Sequence, residues 1–227
     1  MDDLEDLDAR YYVALGAAFV RGRVPELTPA AQSADDGGPH DTAVFRAGLA
    51  YGLKLHKFKR NADLPRVRRV LSMLTALYPE SLLDVGSGRG AFLWPLLDTF
   101  PQLAVTAIDK DERRASDLAA LSRGGITRLD ALQMDATTLT FEDDTFDGAT
   151  LLEVLEHMPD PARAAREAVR VARRFVVATV PSKEDDNPEH IHLFDRQSFG
   201  RLFEEAGARR VSVEHVLNHI VVLAQIV

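Results

Sequence analysis

Cysteine is absent from the 227 residues, which excludes disulfide scaffolds, thiolate-bound zinc, iron–sulfur clusters and thiol nucleophiles together. A basic excess is also lacking: 27 Lys and Arg stand against 35 Asp and Glu, a formal net charge of −8. Proteins that coat nucleic acid or anionic membranes need the opposite balance. Long apolar runs are missing as well, none approaching the ~20 residues of a membrane span. The short apolar stretch near the N-terminus follows Asp2, Asp3, Glu5 and Asp6, where an export signal carries positive charge. These absences predict a cytoplasmic, soluble protein with no membrane partner. The composition, 46% apolar and 27% charged residues, is that of a globular chain able to bury a sizeable core.

The chain divides by texture near residue 62. Residues 1–62 read as an accessory segment, an N-terminal helical lid: Tyr11 to Val20 has helical character, Pro29–Asp41 is a turn-rich, mobile linker, and Thr42 to about Phe58 is helical again. Residues 63–227 read as the main domain, opened by a helix in which Pro65 suits the first turn and Val67, Val70, Leu71, Leu74 and Leu77 keep the helical period. Five short apolar runs then alternate with helical patterns: Ser81–Val85, Ala104–Asp109, Ala131–Met134, Asp147–Val154 and Phe175–Val180. The helices expected among them are Ala91–Thr99, Glu112–Ser122 and Pro161–Arg173, with a last one at Asp195–Ala206. Such alternation predicts an α/β fold with a parallel sheet covered on both faces. Arg210–Val216 and His219–Gln225, joined around Leu217-Asn218, add an antiparallel hairpin and bring the strands to seven.

Three carboxylates and a glycine turn fall at strand ends. In Leu82-Leu83-Asp84-Val85-Gly86-Ser87-Gly88-Arg89-Gly90 a strand runs into a glycine-rich turn that opens a helix, so backbone can approach a ligand closely. Asp109, followed by Lys110, ends the next strand about 20 residues on, where a carboxylate accepts both hydroxyl hydrogens of an adenosine ribose. Asp135-Ala136 ends the third strand, where a carboxylate either accepts from an adenine amine or caps the loop. A dinucleotide fingerprint has the spacing G-x-G-x-x-G, whereas here it is G-x-G-x-G and position 91 is alanine.

These residues resemble the class I S-adenosylmethionine-dependent methyltransferases over roughly 65–227. Leu83 to Gly90 is similar to their first motif, Ala107-Ile108-Asp109 to their ribose-binding acid, Asp135-Ala136 to their adenine position, and Phe146-Asp147 to the start of their fourth strand. The resemblance implies a seven-stranded Rossmann-like sheet, mostly parallel with a C-terminal antiparallel hairpin, and S-adenosylmethionine as cofactor. It further implies that Asp84, Gly86, Ser87, Gly88, Asp109, Lys110, Asp135, Ala136 and the backbone of Leu152 surround that cofactor.

A second constellation comes after the fourth strand. In Leu152-Glu153-Val154-Leu155-Glu156-His157, a helical turn brings Glu153, Glu156 and His157 to one face at i, i+3 and i+4. Glu189-His190-Ile191-His192-Leu193-Phe194 adds His192 from the loop after the fifth strand. Two carboxylates and imidazoles suit a divalent cation such as Mg²⁺ or Mn²⁺. The pattern resembles the metal-dependent RNA ribose 2′-O-methyltransferases and the ubiquinone-pathway O-methyltransferases. The other reading is a metal-free turn, in which His157 and His192 are proton acceptors near neutral pH.

The third feature is basic: seven Lys and Arg fall between Lys54 and Arg69 against one acid, Asp63. Either this patch holds a phosphate or carboxylate on a small acceptor, or it is a solvated face paired with surface acids. No extended basic track accompanies it, so a small anionic metabolite is expected as acceptor ahead of RNA. A noncatalytic cofactor-binding subunit would keep the same glycines and acids, and the sequence leaves acceptor identity and oligomeric state open.

Overall fold

β-branched and leucine-rich segments too short for helices alternate here with alanine- and arginine-rich ones, and the computed structural model, which describes residues 5–28, 39–184 and 186–227, folds the former into one seven-stranded sheet. The strands are β1 (Ser81–Val85), β2 (Ala104–Asp109), β3 (Leu129–Gln133), β4 (Phe146–Leu152), β5 (Ala172–Pro181), β6 (Arg210–Val216) and β7 (His219–Gln225). Their order is β3-β2-β1-β4-β5-β7-β6. β1 to β5 are parallel, and β7 runs antiparallel between β5 and β6. The expected α/β sheet and reversed hairpin are therefore present. Because the order turns back between β1 and β4, the crevice outside their carboxyl ends is a topological switch point, where open α/β sheets bind ligands.

Among the described residues the α-helices are α1 (Glu5–Arg10), α2 (Val13–Arg23), α3 (Pro39–Ala50), α4 (Pro65–Leu77), α5 (Leu93–Thr99), α6 (Glu112–Arg123), α7 (Pro161–Val171) and α8 (Arg196–Glu205). α6, α7 and α8 begin at Asp111, Asp160 and Asp195, whose side chains accept from backbone N–H groups in the first turn. Several boundaries differ from expectation by one to three residues, β3 for instance running from Leu129 to Gln133 in place of Ala131–Met134, and two differences change how an element is described. The helix expected to Arg173 stops at Val171 and β5 starts at once: Ala172 pairs with Phe146, a bulge in β5 sets Arg173 and Arg174 opposite Asp147, and Arg173 reaches the Asp147 carboxylate. The helical stretch expected over Thr42–Phe58 is two pieces, α3 and a 3₁₀ turn at Leu55–Phe58, separated at Gly52.

The two faces of the sheet bury separate clusters. One joins Leu82, Val105 and Val177 to α4, α5 and α6, and it continues into Tyr12, Phe19, Phe45 and Phe58 of the N-terminal segment. The other packs Leu83, Ala149, Val176 and Val222 against α7 and α8. The segment expected to be a lid over the crevice packs on α6, through α2, and on Trp94 of α5. Trp94 Nε1 donates to Lys57 O at 2.8 Å, Lys57 Nζ pairs with Asp117 at 2.9 Å, and Arg21 Nε donates to Gly124 O at 2.9 Å. Residues 29–38 of the expected linker lie outside the described residues.

Backbone meets backbone where α2 crosses α6. A Cβ on Gly22 would sit 1.8 Å from Ala120 O, and one on Gly124 would sit 1.7 Å from Ala18 O. Neither neighbour is a side chain that can swing aside, so Gly22→Ala forces the helices apart. We expect a loss of about 2 kcal/mol of stability, the scale of overpacking in a close-packed interior. Thermal and urea unfolding of the variant measure it.

Candidate active site

β1 ends at Val85 and the chain turns at once. Gly86 N and Ser87 N both donate to Ile108 O, at 2.8 and 3.1 Å, which fastens the turn to β2. Gly88 has φ +57 with no atom nearer than 3.6 Å to a built Cβ, so a side chain there would be strained and would project into open space. A Cβ on Gly86, by contrast, would come within 2.6 Å of Val154. The turn is therefore wedged against the chain leaving β4, across the switch point.

Asp109, at the end of β2, is 5% exposed. One of its oxygens accepts from Gly88 N at 2.8 Å and the other from Asp111 N at 2.9 Å, with Arg114 Nη1 3.8 Å away. A carboxylate offers about four lone-pair positions, so each oxygen keeps one. Asp84 lies beneath the turn, 2% exposed, accepting from Ser87 Oγ at 2.6 Å and Thr150 Oγ1 at 2.8 Å. Burial pushes its carboxyl up to about 6, against those two hydrogen bonds and helped by the charge of Asp109.

Asp135 stands beside this pair beyond β3. Thr137 donates to its Oδ1 twice, through N at 2.8 Å and Oγ1 at 2.7 Å, and these bonds hold its carboxyl below the usual range. Lys110 Nζ is 3.5 Å from the other oxygen. The loop from Asp135 through Ala136 is secured further on, where Leu139 N donates to Glu167 and Arg170 donates to Leu139 O. Leu152 pairs with Thr179 as the last residue of β4.

The four expected metal ligands do not converge. Glu153 has φ +58 and turns away from the others: its Oε1 accepts from Thr179 Oγ1 at 2.7 Å, and its Oε2 lies 3.1 Å from His219 Nε2. His192 Nε2 meets Met158 O at 2.8 Å. The residues brought together are Glu156, His157 and His190, whose ligand atoms lie within 4.8 Å of one another. His190 sits in the expected loop, yet alternation within His190-Ile191-His192 cannot say which imidazole faces inward. Tertiary contacts decide it, since Ile191 N and His192 N both donate to Glu156 O. Arg66, from the basic stretch, also reaches this end of the sheet, as do Thr179 and His219, which no motif marks.

The basic stretch is largely neutralised. Lys57 pairs with Asp117, Arg60 with Asp98, Arg66 with Glu153 and Arg69 with Glu214. Among the described residues Lys54, Lys59 and Arg68 make no ion pair.

Residues 83–175 match a family described as a methyltransferase domain. The ubiquinone biosynthesis O-methyltransferase of Aliivibrio fischeri strain MJ11 is 28% identical over 109 residues, 48% of this chain and 46% of that protein. The phosphatidylethanolamine N-methyltransferase of Cereibacter sphaeroides is 32% identical over 134 residues, 58% of this chain and 64% of that protein. The chain thus spans about half the length of the first curated relatives it matches. A crystal structure of a SAM-dependent methyltransferase from Aquifex aeolicus shares the fold, with a TM-score of 0.58 and 24% identity over 74% of this chain and 93% of that one. Among the described residues no helix is long and apolar enough to cross a membrane. Strand order, glycine turn and matched region agree in supporting a class I S-adenosylmethionine-dependent methyltransferase family for this chain.

Proposed function

We propose that this protein transfers the methyl group of S-adenosylmethionine to an oxygen or nitrogen of a small acceptor. The observation that carries the reading is the cradle of Gly86, Ser87, Gly88 and Asp109 at the switch point, with Asp135 beside it. Gly88 offers open space for the methionine end, the unused lone pairs of Asp109 suit the ribose hydroxyls, and the Asp135 oxygen beside Lys110 suits the adenine amine. When bound, the cofactor supplies an electrophilic methyl on a sulfonium. The chain's own contribution is to hold the acceptor in line with it and to keep bulk water away. His157 and His192 are the proposed proton acceptors. Their contacts with the carbonyls of Glu189 and Met158 hold a hydrogen on His157 Nδ1 and His192 Nε2, leaving His157 Nε2 and His192 Nδ1 basic. Calorimetry with S-adenosylhomocysteine is the first test. Binding with a micromolar-range Kd is expected, and a silent titration would refute the reading.

A small acceptor is favoured over RNA because four of the seven cations between Lys54 and Arg69 already face acids, leaving no basic track for a phosphate backbone. The anionic acceptor group expected at this patch would have Lys54, Lys59 and Arg68 to meet it.

A second reading adds a divalent cation, Mg²⁺ or Mn²⁺, and rests on the Glu156, His157 and His190 cluster. The contact of His157 Nδ1 with Glu189 O leaves Nε2 as its ligand atom, the arrangement that orients metal-binding imidazoles. There the metal would acidify an acceptor hydroxyl. This reading expects Mn²⁺ to bind the full chain and His190→Ala to weaken it by about tenfold or more. Absence of bound metal by elemental analysis, with methyl transfer intact in EDTA, would return the cluster to a metal-free turn.

A further inference from the structure

On the proposed cofactor reading, one half of the crevice, over β1 to β3, belongs to S-adenosylmethionine. The other half, over β4, β5 and the start of β7, has polar groups of its own. β4 stops at Leu152, and Glu153 comes next with a left-handed backbone that is unfavourable for a non-glycine residue. Two contacts hold it there: Glu153 N donates to Thr179 O at 3.0 Å, and Val154 abuts Gly86. The same turn carries the Glu153 carboxylate over to β5 and β7. One oxygen accepts from Thr179, while the other faces His219 Nε2 at 3.1 Å and Arg66 Nε at 3.8 Å. The side chains of Glu153, His219 and Arg66 keep 24%, 23% and 21% exposure, so solvent reaches all three.

We propose that Glu153, His219 and Arg66 form the docking point of the acceptor, and that it takes a hydroxyl with a second oxygen next to it. The hydroxyl donates to a remaining lone pair of Glu153, and the neighbouring oxygen accepts from His219 or Arg66. The guanidinium beside the carboxylate disfavours a cationic amine, so the cluster suits a neutral hydroxyl group. Position supports the assignment. Val154 touches the glycine turn, which places the backbone of Glu153 one residue from the cofactor half.

The test uses the full chain saturated with S-adenosylhomocysteine and catechol as the probe, because catechol presents a hydroxyl beside a second oxygen. Catechol is expected to bind, seen as saturable NMR shifts. 1,2-Dimethoxybenzene, which has both oxygens but no hydrogen to donate, is expected to bind about fivefold more weakly or worse. Glu153→Gln and His219→Gln should each weaken catechol by about fivefold while leaving S-adenosylhomocysteine affinity within about twofold. Equal affinity for the two probes, unchanged catechol binding in both variants, or no catechol binding by a protein that holds S-adenosylhomocysteine overturns the docking point and leaves the cofactor reading standing. Failure to bind S-adenosylhomocysteine removes both. The comparison of probes needs no variant, so misfolding of a substituted protein does not decide it.

Discussion

Replacing Asp109 by Ala should weaken S-adenosylhomocysteine binding by about 1.5–3 kcal/mol, tenfold to a hundredfold in Kd, through lost charge-assisted hydrogen bonds to the ribose. The structure adds a second route to the same loss. Asp109 accepts from Gly88 N and Asp111 N, so the carboxylate also holds the glycine turn closed on β2. Asp109→Asn separates the two contributions: the amide keeps one oxygen for a backbone N–H but loses the charge and half of the acceptor capacity. An intermediate affinity is expected for it. Calorimetry that finds Asp109→Ala indistinguishable from the wild type would exclude Asp109 as a ribose contact and remove the main support for the cofactor's placement.

The second large effect concerns Asp84 and pH. Its carboxyl is raised to about 6 in the folded chain from an ordinary 3.8, chiefly by burial. The group therefore favours folding fully below its unfolded value, and that contribution is lost as pH rises through about 6, where the folded state must hold a buried charge. The shift corresponds to about 3 kcal/mol at 1.36 kcal/mol per unit. Asp84→Asn carries no charge at any pH. The stability of the wild type relative to this variant should therefore fall by up to about 3 kcal/mol between pH 4 and pH 7. The amide cannot accept from both Ser87 and Thr150, which lowers the variant by a constant amount and leaves the slope untouched. Urea unfolding at a series of pH values gives the difference directly. Parallel curves would mean that Asp84 is not forced to ionise in the interior.

Local sequence is enough for the sheet and for the glycine turn and carboxylates at the ends of β1 to β3. β1 and β2 fall where their apolar runs fall, because a short run bounded by Gly, Pro and charged residues can form only one buried strand. The glycine turn, Asp109 and Asp135 are legible because each lies within two residues of a strand end, and parallel strands bring those ends to one edge whatever the helices do. The rest of the site depends on contacts between residues distant in sequence. Helical spacing groups Glu153 with Glu156 and His157, but left-handed backbone at Glu153 itself ends β4 and hands its side chain to Thr179 and His219. His190 and not His192 joins Glu156 and His157, since two backbone N–H groups on Glu156 O fix the rotation of that loop. The basic stretch likewise gives no sign of its partners: Asp98, Asp117, Glu153 and Glu214 lie 38 to 145 residues away and meet it only once the sheet, α5, α6 and the hairpin are assembled. Periodicity reports which face a residue occupies within its own element. Which element that face meets is settled by packing, and the half of the crevice over β4, β5 and β7 is built from such meetings.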